Sequence, residues 1–141
     1  NDALVTVADI ILHHTANTAE NEDQTQQRGH TCDDGGQVNF LDQYVKEFAE
    51  EEFIVTGDFN FQPDNRVYAQ LMDLGYENCA KLAKFARGRD DNTYTGGSMI
   101  DFCFRYDTTA FNPYFYTVCD ELIDGKTPSD HHPIFLMIEL E

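Results

Sequence analysis

With 141 residues, 41% of them apolar and 13% aromatic, the chain has the length and core-forming content of one compact domain. Nine Lys and Arg against 26 Asp and Glu leave a formal charge of −17, which repels nucleic acid at long range and argues against a broad, non-specific DNA or RNA binder. No run of roughly 18 apolar residues occurs, so the sequence has no helical membrane span, and no basic stretch leads an apolar one as in a secretory signal.

Leu4 to Leu12 is apolar and β-branched towards its end and predicts a buried strand that stops at His13-His14-Thr15. Ala16 to Gly36 is polar throughout and predicts a long loop. From Gln37 to Glu52, Val38, Leu41, Val45 and Phe48 recur at helical spacing, with Asp33 and Asp34 just ahead. Phe53-Ile54-Val55 predicts a short buried strand running into Gly57-Asp58-Phe59-Asn60. A second helix fits Pro63 to Leu74: Pro63 lies near its first turn, Val67, Leu71 and Leu74 share a face, and Gly75 is placed to end it.

Lys81, Lys84, Arg87 and Arg89 supply the local basic content of the stretch that follows. Ile100, Phe102, Phe104 and Tyr106 alternate with Asp101, Cys103 and Arg105 in the period of two that marks a strand. Tyr114 to Val118 and Ile134 to Leu140 predict two more. The order β-α-β-α-β-β-β implies an α+β fold with helices outside a mainly antiparallel sheet. Cys32, Cys79, Cys103 and Cys119 are scattered, without the close spacing of a structural zinc site. They fit one or two disulfides in an oxidising compartment equally as well as four thiols in a reducing one.

Three polar groups stand at strand ends: His13-His14, Gly57-Asp58-Phe59-Asn60 and Ser129-Asp130-His131-His132-Pro133. Each alone reads as an ordinary turn or surface group. Together, on one edge of a layered fold, a carboxylate, an amide and an imidazole are the parts for metal-assisted attack of water on a phosphate. Asp101, which faces away from Phe102, is placed to accept a proton from His131 and fix that ring.

The combination resembles the endonuclease/exonuclease/phosphatase family, metal-dependent phosphoesterases related to deoxyribonuclease I. Ile54-Val55-Thr56-Gly57-Asp58-Phe59-Asn60 is similar to the family's strand ending in G-D-F-N. Thr93-Tyr94, Gly96-Gly97 and Ile100-Asp101-Phe102 are similar to its T-Y/F…I-D-Y/F segment. Ser129-Asp130-His131-His132-Pro133 is similar to its terminal S-D-H-x-P, and Leu12-His13-His14-Thr15 more distantly to its N-T-H-L strand end.

The resemblance implies a four-layer α/β sandwich, two packed sheets flanked by helices, of which residues 1–141 would be the C-terminal half. It implies Mg²⁺, with Mn²⁺ as substitute, at Asp58, Asn60 and Asp130. Asp58 would position or deprotonate water, Asn60 and His14 would contact the phosphate, His131 would stabilise the phosphorus centre, and Asp101 would orient His131. The family's domain is about twice this length. Its N-terminal half, with a Q-E motif whose glutamate is the principal metal ligand, has no counterpart in this sequence. Glu20 and Glu22 are the stand-ins that the polar loop offers.

A half-sandwich would expose an apolar sheet face and unpaired strand edges, so the other half is expected as another chain or a symmetry-related copy. The expected activity is hydrolysis of a phosphodiester or phosphomonoester. The charge favours a small phosphate ester or lipid head group as substrate, with nucleic acid the less favoured case. The rival reading is a non-catalytic binding or assembly module, or an inactive half-domain, on the same fold.

Overall fold

The computed structural model describes residues 5–11, 34–48, 52–106 and 111–140. The elements in chain order are β1 (Val5–Ile11), α1 (Asp34–Phe48), β2 (Glu52–Asp58), α2 (Arg66–Asp73), β3 (Tyr76–Asn78), α3 (Cys79–Leu82), β4 (Phe85–Arg87), β5 (Asp101–Tyr106), β6 (Phe111–Val118) and β7 (Ile134–Leu140). They form a four-stranded sheet in the order β1-β2-β5-β3 and a three-stranded sheet in the order β4-β6-β7. Pairing is mixed: β1–β2 and β4–β6 are parallel, whereas β2–β5, β3–β5 and β6–β7 are antiparallel.

The α+β class expected from the sequence is the one observed, as half of an α/β sandwich with two mixed sheets. One face of the first sheet is covered by α1 and α2. Val38 and Val45 of α1 and Val67, Tyr68 and Leu71 of α2 pack there on Phe53, Val55, Tyr76, Phe102 and Phe104. The opposite face meets the second sheet. Ile54, Cys79, Cys103 and Phe111 are buried there against Ile134, Leu136 and Ile138 of β7. Ala80 and Ala83, beside α3's end, pack on Tyr116 and Val118 and close the side of this joint.

Several boundaries differ from the sequence expectation. α1 begins at Asp34, so Gly35 and Gly36 belong to its first turn and not to a loop. The Gly35 carbonyl accepts a hydrogen bond from the Gln70 amide at 3.1 Å, so contact with α2 sets this end where glycine propensity alone would not. α1 stops at Phe48, and Glu52 opens β2. α2 starts at Arg66 because Asn65 caps it, its side chain accepting from the Val67 N–H at 2.9 Å; Pro63 lies in the turn before. Gly75 ends α2 with φ +100, its N–H donating to the Met72 carbonyl at 3.1 Å.

Residues 76–87 were expected only as a mixed stretch and contain β3, α3 and β4. Their three- and four-residue elements are too short to show a period, and pairing with β5 and β6 decides them. β6 begins at Phe111 and takes in Pro113, tolerated in a central strand because the register shifts between Pro113 and Phe115. The first predicted strand is seen from Val5 to Ile11; Leu12, His13, His14, Glu20, Glu22 and Cys32 lie outside the described residues.

β1 and β7 end their sheets among the described residues. They carry Val7 and Ile11, at 61% and 68% exposure, and Phe135, Met137 and Leu140, all likewise exposed. No helix among the described residues covers these side chains. The apolar edge and face expected of a half-sandwich are therefore present. Within the core, Phe104 is fully buried and touches the rings of Phe59, Tyr68 and Phe102. Replacing it by Ala is expected to cost about 3–5 kcal/mol, read as a lower urea midpoint at unchanged slope.

Candidate active site

The site is built where β2 ends and β5 begins. The two strands are antiparallel, and their register sets Asp58 directly opposite Asp101. After Asp58 the chain turns sharply: Asn60 adopts φ 54, and its N–H donates to Asp58 Oδ1 at 2.9 Å. Asn tolerates this left-handed conformation better than other side-chain-bearing residues. Between them, Phe59 is fully buried against Phe61, Phe102 and Phe104. The Phe59 N–H also donates to the Ile100 carbonyl at 2.8 Å, which ties the turn to the head of β5.

His131 arrives from the segment leading into β7. The turn at residues 93–98 clamps that segment: the Thr95 N–H donates to the Asp130 carbonyl at 2.8 Å and the His132 N–H to the Thr93 carbonyl at 2.7 Å. His131 Nδ1 then lies 2.8 Å from Asp101 Oδ2, and Nε2 lies 3.7 Å from Asp58 Oδ2. The side chains of His131, Asp58 and Asp101 are 32%, 20% and 15% exposed, so the group is reachable but largely dried. Ligand atoms of these three lie within 4.8 Å of one another, close enough to hold one metal ion. Since Nδ1 is engaged by Asp101, the face that remains open is the one between Nε2 and Asp58.

Electrostatics follow from this packing. The hydrogen bond that its Nδ1 donates to Asp101 holds the His131 imidazole above its ordinary value; burial opposes the shift, and the charges of Asp101, Asp58 and Asp130 reinforce it. Burial pushes the Asp101 carboxyl up as well, against the opposing pull of His131 and Thr93. A cleft of about 320 Å³ borders Asp101 and His131 and is lined also by Asp9, Thr56, Gly57 and His132, with Asp58 outside its lining. That volume is at the lower end of the usual range for small-molecule sites.

No family model matches the sequence, and no curated protein matches it. Solved structures do. An endonuclease/exonuclease/phosphatase from Bacteroides vulgatus aligns with a TM-score of 0.67 at 23% identity over 77% of this chain. The mannosyl-6-phosphatase of Bacteroides thetaiotaomicron VPI-5482 aligns at 0.61 and 19% over 75%. The human Nocturnin catalytic domain with bound sulfate anion aligns at 0.58 and 17% over 97%. The fold is that of the endonuclease/exonuclease/phosphatase family. The matched parts are 44%, 44% and 47% of those three chains, so this chain spans about half the length of the structures it matches.

Of the residues singled out by their likeness to endonuclease/exonuclease/phosphatase motifs, the structure brings Asp58, Asp101 and His131 together and sets Asn60 on the adjoining turn. Asp130 is exposed beside His131, with Ser129 Oγ 3.5 Å from its Oδ1, and is not one of the three clustered ligands. His14 lies outside the described residues. The basic stretch does not line the cleft: Lys81 lies over the Tyr68 ring, Lys84 over those of Phe85 and Tyr114, and Arg89 donates to the Ala83 carbonyl at 2.9 Å.

Sequence reasoning assigned no role to Thr93. It is fully buried, and its Oγ1 accepts from the N–H groups of Ile100 and Asp101, both at 3.0 Å. Its hydroxyl also acts on the Asp101 carboxyl, opposing the upward push of burial. Tyr94, whose ring centroid is 5.2 Å from that of His131, covers the imidazole. A Cβ at Gly96 would run into the Tyr94 ring, so only glycine leaves room for this placement.

Two measurements check this geometry. In NMR titration His131 is expected to titrate above 6.5, and Asp101→Asn to bring it down. A raised folded value means that the pair's contribution to stability is present below the unfolded value, down to where Asp101 takes up a proton. It is lost as the pH rises through the folded value of His131. Thr93→Val removes the acceptor of two part-buried N–H groups and is expected to cost about 1–3 kcal/mol in urea unfolding.

Proposed function

We propose that this chain is the C-terminal half, residues 1–141, of a divalent-metal-dependent phosphoesterase that hydrolyses a phosphodiester or phosphomonoester by direct attack of water. The observation that carries the reading is the 2.8 Å Asp101–His131 contact with Asp58 opposite, at strand ends of an endonuclease/exonuclease/phosphatase fold. Asp101, whose backbone N–H is bound by Thr93 Oγ1, holds the imidazole by Nδ1 and leaves Nε2 facing Asp58. With 3.7 Å between Nε2 and the Asp58 carboxylate, an oxygen seated beside the gap reaches both at hydrogen-bond distance.

In this reading Asp58 aligns the attacking water and takes its proton, while His131, kept protonated by its carboxylate neighbours, donates to the phosphoryl oxygen as negative charge builds. Asn60 contributes an amide to the phosphate, and His14 is the further contact expected from the motif. The donor chemistry suits a hard cation: the Asp58 carboxylate and the Asn60 amide on the adjoining turn would hold Mg²⁺ or Mn²⁺, with Asp130, outside the cluster, the further ligand expected from the motif. Bound there, the ion supplies Lewis acidity and countercharge to a strongly acidic chain.

The small cleft and the charge of −17 favour a compact phosphate ester or lipid head group over a long polyanion. The exposed β1 and β7 edges favour completion of the sandwich by the other half, as a separate chain or a second copy. The rival reading, a binding module or inactive half-domain, draws its support from that same incompleteness.

The deciding experiment assays bis-p-nitrophenyl and p-nitrophenyl phosphate with Mg²⁺ or with EDTA, with Asp58→Ala and His131→Ala alongside. Turnover that needs metal and falls at least about 100-fold in both variants is the expected outcome. Turnover that survives both substitutions overturns the site assignment. Absence of turnover, with no Mg²⁺-induced rise in melting temperature, favours the binding-module reading.

A further inference from the structure

Cys79 and Cys103 are buried, at 0% and 5% exposure, in the cluster with Ile54 and Phe111 that joins the two sheets. β3 and β5 are antiparallel, with Glu77 opposite Arg105 and Asn78 opposite Phe104. The pairing ends there; Cys79, the first residue of α3, directly follows Asn78, and Cys103 directly precedes Phe104, so the two cysteines flank the last paired residues at the same end. Alternation places Tyr76 with Phe104 on the helix-covered face, and Glu77 with Arg105 on the face towards the second sheet. Neighbouring side chains on this second face already meet, because Glu77 Oε1 is 3.1 Å from Arg105 Nε.

Both side chains pack in that one buried cluster. The neighbouring Cys103 and burial hold the Cys79 thiol above its usual range. Cys79, aided by Thr56 and opposed by burial, pulls Cys103 the other way. Directly opposed antiparallel residues have Cα atoms about 4.5–5.5 Å apart. A disulfide spans about 4.4–6.8 Å. A pair that adjoins the last opposed residues of a ladder and shares a buried cluster starts close to the span that a disulfide needs.

We propose that Cys79 and Cys103 form an intramolecular disulfide when the chain meets a low-molecular-weight disulfide oxidant such as glutathione disulfide. The bond ties β3 and α3 to β5, the strand that carries Asp101. Cys103, as thiolate, attacks one sulfur of the oxidant, whose S–S bond breaks and releases one thiolate. Cys79 then gives its proton to solvent and attacks the Cys103 sulfur of the mixed disulfide, releasing the second thiolate. In total the protein loses two protons and two electrons, and the oxidant becomes two thiols. Because both sulfurs are shielded, exchange occurs during folding or through opening of the β3–α3 segment, and the finished bond is shielded in turn. This inference does not depend on phosphoesterase activity.

The test is to refold the full chain in a glutathione redox buffer, alkylate the remaining thiols and map peptides without reduction. The expected result is a Cys79–Cys103 peptide pair, with a melting temperature several degrees higher that returns to the lower value after dithiothreitol. The double variant C32S/C119S, which keeps only this pair, should give the same link and the same shift. Alkylation of both Cys79 and Cys103 at every redox poise overturns the proposal. So do stable glutathione adducts on them, or linkage of either to Cys32 or Cys119 in the wild-type chain.

Discussion

Burial of the Phe59 ring is the constraint on which the site depends. Its two neighbours in sequence, Asp58 and Asn60, carry the polar groups of the strand end, while Phe59 itself is enclosed by Phe61, Phe102 and Phe104. Holding that ring in the core leaves the chain on either side little freedom. β2 must end there, Asn60 must take a left-handed conformation, and its N–H falls on the Asp58 carboxylate. The same aromatic cluster includes two residues of β5, so the register that sets Asp58 opposite Asp101 is fixed by apolar packing. The polar site is thus held by an apolar anchor one residue away.

A second set of ties joins the two sheets. Asp101 belongs to β5 of the first, and His131 precedes β7 of the second. The turn at residues 93–98 binds both, through Thr93 Oγ1 to the head of β5 and through backbone hydrogen bonds to residues 130 and 132. A carboxylate surrounded by other acids would ordinarily be a liability. Here the imidazole absorbs part of that excess, and its proton is held by the charge that surrounds it.

Much of this was legible in the sequence because it rests on strong local patterns. The period of two from Ile100 to Tyr106 located β5, and the apolar runs ending in Gly-Asp-Phe-Asn and preceded by Ser-Asp-His-His-Pro located the strand ends that meet. What was not legible needed the third dimension. β3 and β4 are three residues long and exist because neighbours pair with them. The start of α1 at Asp34 depends on Gln70 reaching Gly35, and a local rule that reads two glycines as loop fails there. Thr93 stood out in the sequence only as part of a motif, and its role shows in its burial beneath the head of β5. The burial of Cys79 and Cys103 in one cluster, at the end of the β3–β5 pairing, was likewise hidden.

The pairing of distant segments has a kinetic consequence. β1 and β2 are joined across α1, and β2 and β5 across everything from α2 to β4, so the first sheet consists of long-range contacts whose closure entropy is spent before packing repays it. The aromatic cluster needs only this sheet and its helices, whereas the Asp101–His131 contact also needs the second sheet in place. A probe on Phe102 or Tyr68 therefore reports condensation of the first sheet and its helices. A probe on the His131 ring reports that the last strand has docked.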